Sequence, residues 1–391
     1  MIYRRFGKTG LQMPVLSAGF MRAMHSWQNI PAGAIPAASQ ENVEAIVHRA
    51  MDLGINHFET ARGYGTSEIQ LGLALHHLPR ESFLVQTKVP PAENPMEFRK
   101  NVENSLSRLG LDRVDLLAIH GVNDYRSLWR VCRRGGCLHM ARRLQREGLA
   151  GSIGFSGHGP LDVILQALRH EDDGGFDYLN IHWYYIQQGN SPALEEAATR
   201  DMGIFIISPT DKGGMLQNPP EKLQRLCRPL SPIRFNDLYC LSRPEIHTIS
   251  VGAVCPEDFD EHSAALELLG TCRELTAVID RRLQAAMETE TGFAHPGEAG
   301  SRLPSWEDTP GYINTRYILW LLDLARGWNL IEFGKRQYRK LGLEVRWVPG
   351  NNAAEAARFD FSSLAAKAGM KTGDLMKMLQ EAHDQFSTGN M

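Results

Sequence analysis

Short apolar runs rich in β-branched residues alternate with longer amphipathic stretches over the first two thirds of the chain. This alternation is typical of repeated βα units and argues against a sandwich or a helix bundle. The runs are Val15–Gly19, Ile55–Glu59, Phe83–Lys88, Val114–His120, Ser152–Ser156, Tyr178–Trp183, Ile204–Ser208 and Thr248–Gly252. Their intervals suit the ~30 residues of a βα unit. Because eight parallel strands close into a barrel, the sequence predicts a (β/α)8 TIM barrel.

The stretches between the runs have helical periodicity. Apolar residues in Val43–Met51 recur at three- and four-residue spacing, and Gly54 follows where a left-handed C-cap is favoured. The segment Phe98–Leu109 repeats the pattern, and Gly110 ends it. Consecutive units therefore share one βα design.

The alternation ends after about Leu275. The remainder contains helical segments interrupted by a Gly/Pro-rich loop, GFAHPGEAGSRLPSWEDTPG, and its strongest helical pieces are Ile313–Ala325 and Ser362–Ser387. We therefore expect residues 1–275 to form the barrel and residues 276–391 to form a helical C-terminal extension.

Composition excludes several classes of protein. The formal net charge is -3, and no basic block is interleaved with aromatic residues, so we expect no nucleic-acid partner. The first residues lack the apolar stretch of an export signal, and no run reaches the ~18 apolar residues of a membrane span. The six cysteines are irregularly spaced. Reduced thiols, no metal site and a cytoplasmic location are expected.

Polar residues close three of the predicted strands. Glu59 ends the second and Tyr64 follows five positions later, while Lys88 and His120 end the third and fourth. In a parallel barrel the carboxyl ends of the strands converge on one mouth. We therefore expect these four side chains to meet.

Their chemistry is complementary. A buried Lys88 requires a partner such as Glu59, because an isolated charge does not leave water cheaply. The ammonium beside Tyr64 is expected to lower the pKa of its phenol. His120 would orient a carbonyl and stabilise the charge that develops there. Each residue alone also has an ordinary structural interpretation, in packing or in an ion pair, but the set with this spacing favours a catalytic site.

The run GINHFETARGYGTSEIQLGLAL resembles the aldo-keto reductase signature, in which a strand ends in an acidic residue and a tyrosine follows five positions later. The opening RRFGKTGLQMPVLSAGFMR resembles the first hairpin and strand of that family. Its GFMR resembles the branch that carries a C-terminal ferredoxin-like extension. The resemblance implies a nicotinamide-dependent oxidoreductase on a (β/α)8 barrel.

The resemblance also assigns roles to the four residues. It implies Tyr64 as general acid, Lys88 as the group that adjusts its pKa, His120 as carbonyl orienter and Glu59 as partner of Lys88. The family usually has aspartate where this chain has Glu59. The additional methylene of glutamate keeps the carboxylate charge but moves it farther from the backbone. A displacement of that size lowers a catalytic rate.

Cofactor contacts follow from the same resemblance. The family's Ser–Asn pair after strand five corresponds to Ser156–Gly157 here, and its strand-six glutamine to Asn180, so these positions would hold the nicotinamide carboxamide. The segment SPTDKGG resembles the loop that cradles the pyrophosphate. Its candidate residues are Ser208, Thr210, Lys212 and Gly213.

The resemblance places Glu261 where a carboxylate meets the adenine amine. Cys255 and Asp258 stand where a basic residue often lies nearby, and an anion there repels a 2′-phosphate. The resemblance therefore implies a nicotinamide cofactor and leaves both NADPH and NADH open. In the branch with the extension, a cysteine-rich run binds an iron–sulfur cluster, but the matching stretch RLPSWEDTPGYINTRYILW has no cysteine, and no cluster is expected.

The primary hypothesis is thus an enzyme that transfers hydride between a nicotinamide cofactor and a small aldehyde, ketone or corresponding alcohol, with no membrane partner. The alternative is a nicotinamide-binding sensor or regulatory protein with little turnover, suggested by Glu59, Gly157 and Asp258.

Overall fold

The computed structural model describes residues 1–343 and 348–387. A closed barrel of eight parallel strands forms its centre, with neighbours in the order β10-β3-β4-β5-β6-β7-β8-β9. The strands are β1 Tyr3–Arg5, β2 Gln12–Pro14, β3 Leu16–Gly19, β4 His57–Glu59, β5 Leu84–Val89, β6 Val114–Ile119, β7 Ala150–Gly157, β8 Tyr178–Ile181, β9 Gly203–Ile206 and β10 Thr248–Val251. The predicted TIM barrel is confirmed, and each of the eight predicted runs overlaps one observed strand.

The helices follow the strands in the alternation expected of βα units. They are α1 Ala37–Asp52, α2 Ser67–Leu75, α3 Pro95–Leu109, α4 Tyr125–Cys132, α5 Cys137–Arg146, α6 Leu161–Arg169, α7 Ser191–Thr199, α8 Glu221–Cys227, α9 Pro232–Leu241, α10 Asp258–Leu266, α11 Arg273–Thr291, α12 Thr315–Trp328, α13 Ile331–Tyr338, α14 Ser362–Lys367 and α15 Thr372–Ser387.

Local signals in the sequence explain the helix ends. The side chain of Asn94 accepts a hydrogen bond from the Met96 N–H at the start of α3, and Pro95 occupies the first turn. Gly110 ends α3 with φ of 64°. Gly54, the predicted C-cap after α1, has φ of 76°.

A short antiparallel hairpin, β1 and β2, precedes the barrel. Phe6, which follows β1, belongs to a buried cluster with Tyr178 and Phe205. Its ring centroid lies 5.6 Å from that of Tyr178, the first residue of β8. The hairpin therefore packs its apolar residues against the amino ends of the strands, opposite the end where the polar strand termini lie.

Contact clustering divides the chain into two compact units. The first comprises residues 1–213 and 236–272 and contains the barrel. The second comprises residues 214–235 and 273–391 and includes α8 and α11 to α15. Within the described residues, no helix is both long and apolar enough to cross a membrane.

The second unit has a buried interior of its own, with Leu283 of α11, Leu322 of α12 and Leu379 of α15 fully buried. The predicted helical piece Ile313–Ala325 corresponds to α12. The piece Ser362–Ser387 is two helices, α14 and α15, because Gly369 has φ of 72° and ends α14 in a left-handed turn.

Candidate active site

The four polar residues at or just after the carboxyl ends of strands β4 to β6 occupy the same end of the barrel. Glu59 is the last residue of β4, Lys88 is the penultimate residue of β5, and His120 directly follows β6. Tyr64 lies in the turn before α2, where its N–H donates to the Ala61 carbonyl at 2.9 Å. Because all the barrel strands are parallel, these positions share one mouth.

Lys88 and Glu59 form the ion pair predicted for them. Their side chains are 1% and 6% exposed, so both charges are withdrawn from water. Lys88 Nζ also donates to the Thr60 carbonyl at 2.8 Å. The second oxygen of Glu59 accepts from Ser250 Oγ at 3.4 Å. Burial lowers the pKa of the Lys88 ammonium below its ordinary value.

The Tyr64 ring lies between the charged pair and two aromatic neighbours. Lys88 Nζ lies over the ring, 4.8 Å from its centroid. The His120 and Trp27 rings meet it edge to face, at centroid distances of 5.9 and 6.3 Å. Tyr64 thus contacts both Lys88 of β5 and His120, which follows β6.

Burial raises the pKa of the Tyr64 phenol above its ordinary value, whereas the sequence predicted that Lys88 would lower this pKa. The difference has a geometric cause. The ammonium lies against the ring face and is paired with Glu59, so desolvation of the phenolate dominates. A phenol that keeps its proton at neutral pH is in the state that a proton donor requires.

His120 is held in its neutral form. Burial, with the nearby positive charges of Lys88 and Lys212, lowers the pKa of its imidazole to about 3. A neutral imidazole can donate one hydrogen bond to a carbonyl oxygen without carrying a charge of its own.

The residues predicted for the carboxamide lie on adjacent strands. Ser156 and Asn180 are register partners of β7 and β8. Ser156 Oγ accepts from the Gly121 N–H at 2.9 Å and still has a hydroxyl proton to donate. Asn180 is fully buried, and both polar atoms of its amide lack a partner within the described residues. A buried amide without partners fits the carboxamide of a nicotinamide ring, which offers a matching donor and acceptor.

The predicted pyrophosphate loop follows β9. Ser208 has φ of 54°, and Thr210 Oγ1 is a buried hydroxyl oxygen without a hydrogen-bond partner in the described part of the chain. A Cβ on Gly213 would lie 1.8 Å from the Pro209 carbonyl oxygen, so only glycine fits this turn.

Two histidines that the sequence analysis did not single out lie beside this set. His158 directly follows β7 and His182 directly follows β8. His158 Nδ1 lies 2.5 Å from His182 Nε2, and Lys212 Nζ lies 3.0 Å from the same nitrogen. The His158 ring centroid is 6.5 Å from that of His120. Applied to the observed strand ends, the rule that selected His120 also identifies both.

Glu261 lies in the first turn of α10 and is half-buried. Asp258 begins that helix and accepts a hydrogen bond from the Val254 N–H at 2.7 Å. His262, the residue after Glu261, forms a buried pair with Asp237 in which Nδ1 lies 2.5 Å from Oδ2. The sequence did not indicate this pair.

Across residues 1–343 and 348–387, no group of three or more His, Cys, Asp or Glu side chains is placed to hold a metal ion.

Comparison with known proteins identifies the family of the chain. Residues 17–275 match the aldo/keto reductase family. The chain is 28% identical over 318 residues to L-galactose dehydrogenase of Arabidopsis thaliana, which covers 72% of this chain and 94% of that protein. D-threo-aldose 1-dehydrogenase of a Pseudomonas species is 26% identical over 247 residues, covering 54% and 70% respectively.

Among solved structures, an aldo-keto reductase of Bacillus halodurans in its holo form superposes with a TM-score of 0.59. The match covers 72% of this chain and 96% of that one, and at 19% identity it supports the fold alone. The reductase and dehydrogenase relatives favour an enzyme over a nicotinamide-binding sensor. The chain belongs to the aldo/keto reductase family and is an oxidoreductase that uses a nicotinamide cofactor on small carbonyl or alcohol substrates.

Proposed function

We propose that Tyr64, Lys88, His120 and Glu59 catalyse the reduction of an aldehyde or ketone, or the reverse oxidation of the alcohol. The observation that carries this proposal is the convergence of these side chains on one mouth, with Lys88 between Glu59 and the Tyr64 ring. When bound, the nicotinamide cofactor supplies or accepts the hydride.

Each residue has a distinct part in the proposed reaction. Tyr64 donates its phenolic proton to the carbonyl oxygen, which becomes the hydroxyl of the product alcohol. His120 donates a hydrogen bond to the same oxygen and orients the carbonyl. Lys88 stabilises the phenolate that remains on Tyr64, and Glu59 holds Lys88 in place. In the oxidation direction the proton returns to Tyr64.

We propose that Ser156 and Asn180 hold the nicotinamide carboxamide. Ser208, Thr210, Lys212 and Gly213 are proposed for the pyrophosphate loop, and Glu261 for the adenine. The Asn180 amide, which has no hydrogen-bond partner among the residues that the structure describes, and the backbone turn at Gly213 support these assignments. The Lys212 side chain also reaches His182, so its role extends beyond the phosphates.

We propose NADH as the preferred cofactor. Asp258 and Glu261 place two carboxylates in the first turn of α10, next to the segment proposed to bind the adenosine, while the third carboxylate of that turn, Asp260, is paired with Arg49. A 2′-phosphate there would meet negative charge. Titrating NADH and NADPH separately, with tryptophan fluorescence as readout, should give the lower Kd for NADH, and a lower Kd for NADPH would reject this preference.

A cytoplasmic location is also proposed. It is supported by the six cysteines, none of which forms a disulfide in the structure.

Tyr64→Phe tests the catalytic assignment. It removes the hydroxyl and keeps the ring that contacts His120 and Lys88. We expect kcat to fall by ~10²-fold or more, the usual contribution of a general acid, while the cofactor Kd stays within error. Tyr3→Phe, an exposed tyrosine at the amino end of the barrel, is the matched control and should leave kcat unchanged. Retained turnover in Tyr64→Phe would remove Tyr64 from the mechanism.

A further inference from the structure

An ion pair between two of the barrel's helices lies next to the turn that carries Tyr64. Glu68 belongs to the first turn of α2 and Arg108 to the last turn of α3. Arg108 Nε lies 3.1 Å from Glu68 Oε2, and the Arg108 and Glu68 side chains are 12% and 0% exposed. Burial raises the pKa of the Glu68 carboxyl, and the positive charge of Arg108 opposes this shift. The proposed mechanism gives neither residue a role.

The guanidinium of Arg108 also binds the backbone of the turn that carries Tyr64. Its Nη2 donates a hydrogen bond to the carbonyl oxygen of Gly65, the residue after Tyr64. Its Nη1 donates to Asn29 Oδ1 at 2.5 Å, in the loop between β3 and α1. A planar guanidinium presents its N–H groups in fixed directions, so it determines geometry as well as charge. Arg108 therefore joins α3 to the Tyr64 turn and to the loop before α1.

The turn at Gly65 is closely packed against the loop that contains Ser26. Gly65 has φ of 47°, and a Cβ there would lie 1.8 Å from the Ser26 carbonyl oxygen. The Thr66 N–H donates to the same carbonyl oxygen at 2.9 Å. The backbone on the carboxyl side of Tyr64 is therefore held both by this loop and by Arg108 of α3.

The same ion pair reaches the strand that carries Lys88. Glu68 Oε1 accepts a hydrogen bond from Thr87 Oγ1 at 2.7 Å, and Thr87 directly precedes Lys88 in β5. Because successive side chains of a strand point to opposite faces, Thr87 meets α2 outside the barrel while Lys88 points into it. The ion pair therefore connects the backbone next to Tyr64 with the residue that precedes Lys88.

We infer that Arg108 is a positioning residue, whose guanidinium holds the Gly65 carbonyl and thereby places the Tyr64 hydroxyl for proton donation. This inference rests on the proposed function of Tyr64. Arg108 acts through the backbone of the turn, and Glu68 holds the guanidinium in place. Proton transfer depends on the distance and direction between donor and acceptor, and a misplacement of about 1 Å can lower a rate ~10²-fold. Loss of Arg108 should therefore lower kcat and leave the cofactor affinity unchanged.

Two variants, Arg108→Met and Arg108→Lys, test the inference. Methionine removes the guanidinium, whereas lysine keeps a positive charge beside Glu68 but lacks the fixed fork of donors that binds the Gly65 carbonyl and Asn29 together. We expect kcat to fall about tenfold or more in both variants. The Kd of whichever nucleotide wild type prefers, NADH or NADPH, should not change. Arg108→Lys should unfold at nearly the wild-type urea concentration, so that its lower kcat does not come from loss of folded protein.

The matched control is Arg99→Met, on the same helix. Arg99 forms ion pairs with Glu103 and Glu147 at 2.8 and 2.7 Å, and neither partner belongs to the Tyr64 turn or to β5. We expect this control to keep the wild-type kcat. An equal fall in kcat would mean that loss of any ion-paired arginine of α3 lowers turnover, and it would overturn the inference.

A double variant distinguishes positioning of Tyr64 from a general structural role. Tyr64→Phe has no phenolic proton to place, so adding Arg108→Lys should not lower its residual turnover further, measured at high enzyme concentration. Losses that multiply would show that Arg108 acts elsewhere and would reject the inference. If Arg108→Lys keeps the wild-type kcat while Tyr64→Phe loses it, the positioning role is wrong and the proposed function stands. If Tyr64→Phe keeps the wild-type kcat, the proposed function fails and this inference fails with it.

Discussion

Replacing Lys88 with methionine removes the positive charge from a deeply buried ion pair. Glu59 would retain a carboxylate that is 6% exposed and that, among residues 1–343 and 348–387, has only the Ser250 hydroxyl, 3.4 Å away, as a hydrogen-bond donor. Methionine fills most of the volume of the lysine stem, so the change tests charge rather than packing. Removal of one partner from a buried pair costs about 3–5 kcal/mol, and we expect a loss of this size in the free energy of unfolding.

A double variant measures the interaction between the two charges separately from the effect of each charge on its other neighbours. Glu59→Gln with Lys88→Met removes both charges together, so neither is left buried without its partner. We expect the double variant to be more stable than the sum of the single changes predicts, with a coupling energy of about 2 kcal/mol or more. Urea denaturation followed by circular dichroism provides the four free energies of the cycle.

Because the chain contains two compact units, a measurement specific to the barrel is also needed. Hydrogen exchange by mass spectrometry on peptides covering β4 and β5 should show faster exchange in Lys88→Met and partial recovery in the double variant. The exposed pair of Arg5 and Asp201 is the matched control and should show no measurable coupling. Additive single changes, or a loss below about 1 kcal/mol in Lys88→Met, would refute the argument that each of these buried charges is stabilised by the other.

Two further predictions concern other buried groups. Burial raises the pKa of Asp323 to about 6 from an ordinary value of 3.8, so its stabilising contribution is present below pH 3.8 and is lost as pH rises through 6. Asp323→Asn should retain the acceptor for the Gly297 N–H. In urea denaturation it should raise the free energy of unfolding by roughly 2–3 kcal/mol at pH 7 but by under about 1 kcal/mol at pH 4. An equal gain at both pH values would contradict this prediction. A Cβ on Gly154 would lie 2.5 Å from the Tyr178 ring, so Gly154→Ala should cost about 1–3 kcal/mol of stability. Gly33→Ala, in open space, should not alter the thermal midpoint, and equal midpoints for the two variants would contradict the packing argument.

Much of the barrel follows from features that are local in the sequence. Several strands are short buried runs that end at a polar residue or are followed by one, and the closed parallel sheet places these residues at one mouth. This rule brought Glu59, Lys88 and His120 together without knowledge of any contact. The cost of burying a lone charge then predicted that Lys88 pairs with Glu59.

The features that the sequence missed depend on side-chain orientation or on the end of an element. The predicted strand Tyr178–Trp183 ran past the observed end of β8, which placed His182 inside a strand rather than at its terminus. The pKa of Tyr64 depends on whether Lys88 approaches its hydroxyl or its ring, and a residue spacing does not encode that choice. The predicted helix Ser362–Ser387 passed through Gly369, whose left-handed backbone separates α14 from α15.

The interior of the barrel changes character from one end to the other, and this change connects its stability with its chemistry. Phe6 and Tyr178 pack against each other at the amino end. Farther along, Ser17 Oγ shares hydrogen bonds of 2.7 Å with both His57 Nδ1 and Thr248 Oγ1, and burial lowers the pKa of His57 to about 3, so this layer is polar but uncharged. Full charges in the interior appear with Glu59 and Lys88 at the mouth. An ion pair there gains strength from the low dielectric beneath it, and in the proposed mechanism Lys88 stabilises the Tyr64 phenolate, so the same change at Lys88 should lower both stability and turnover.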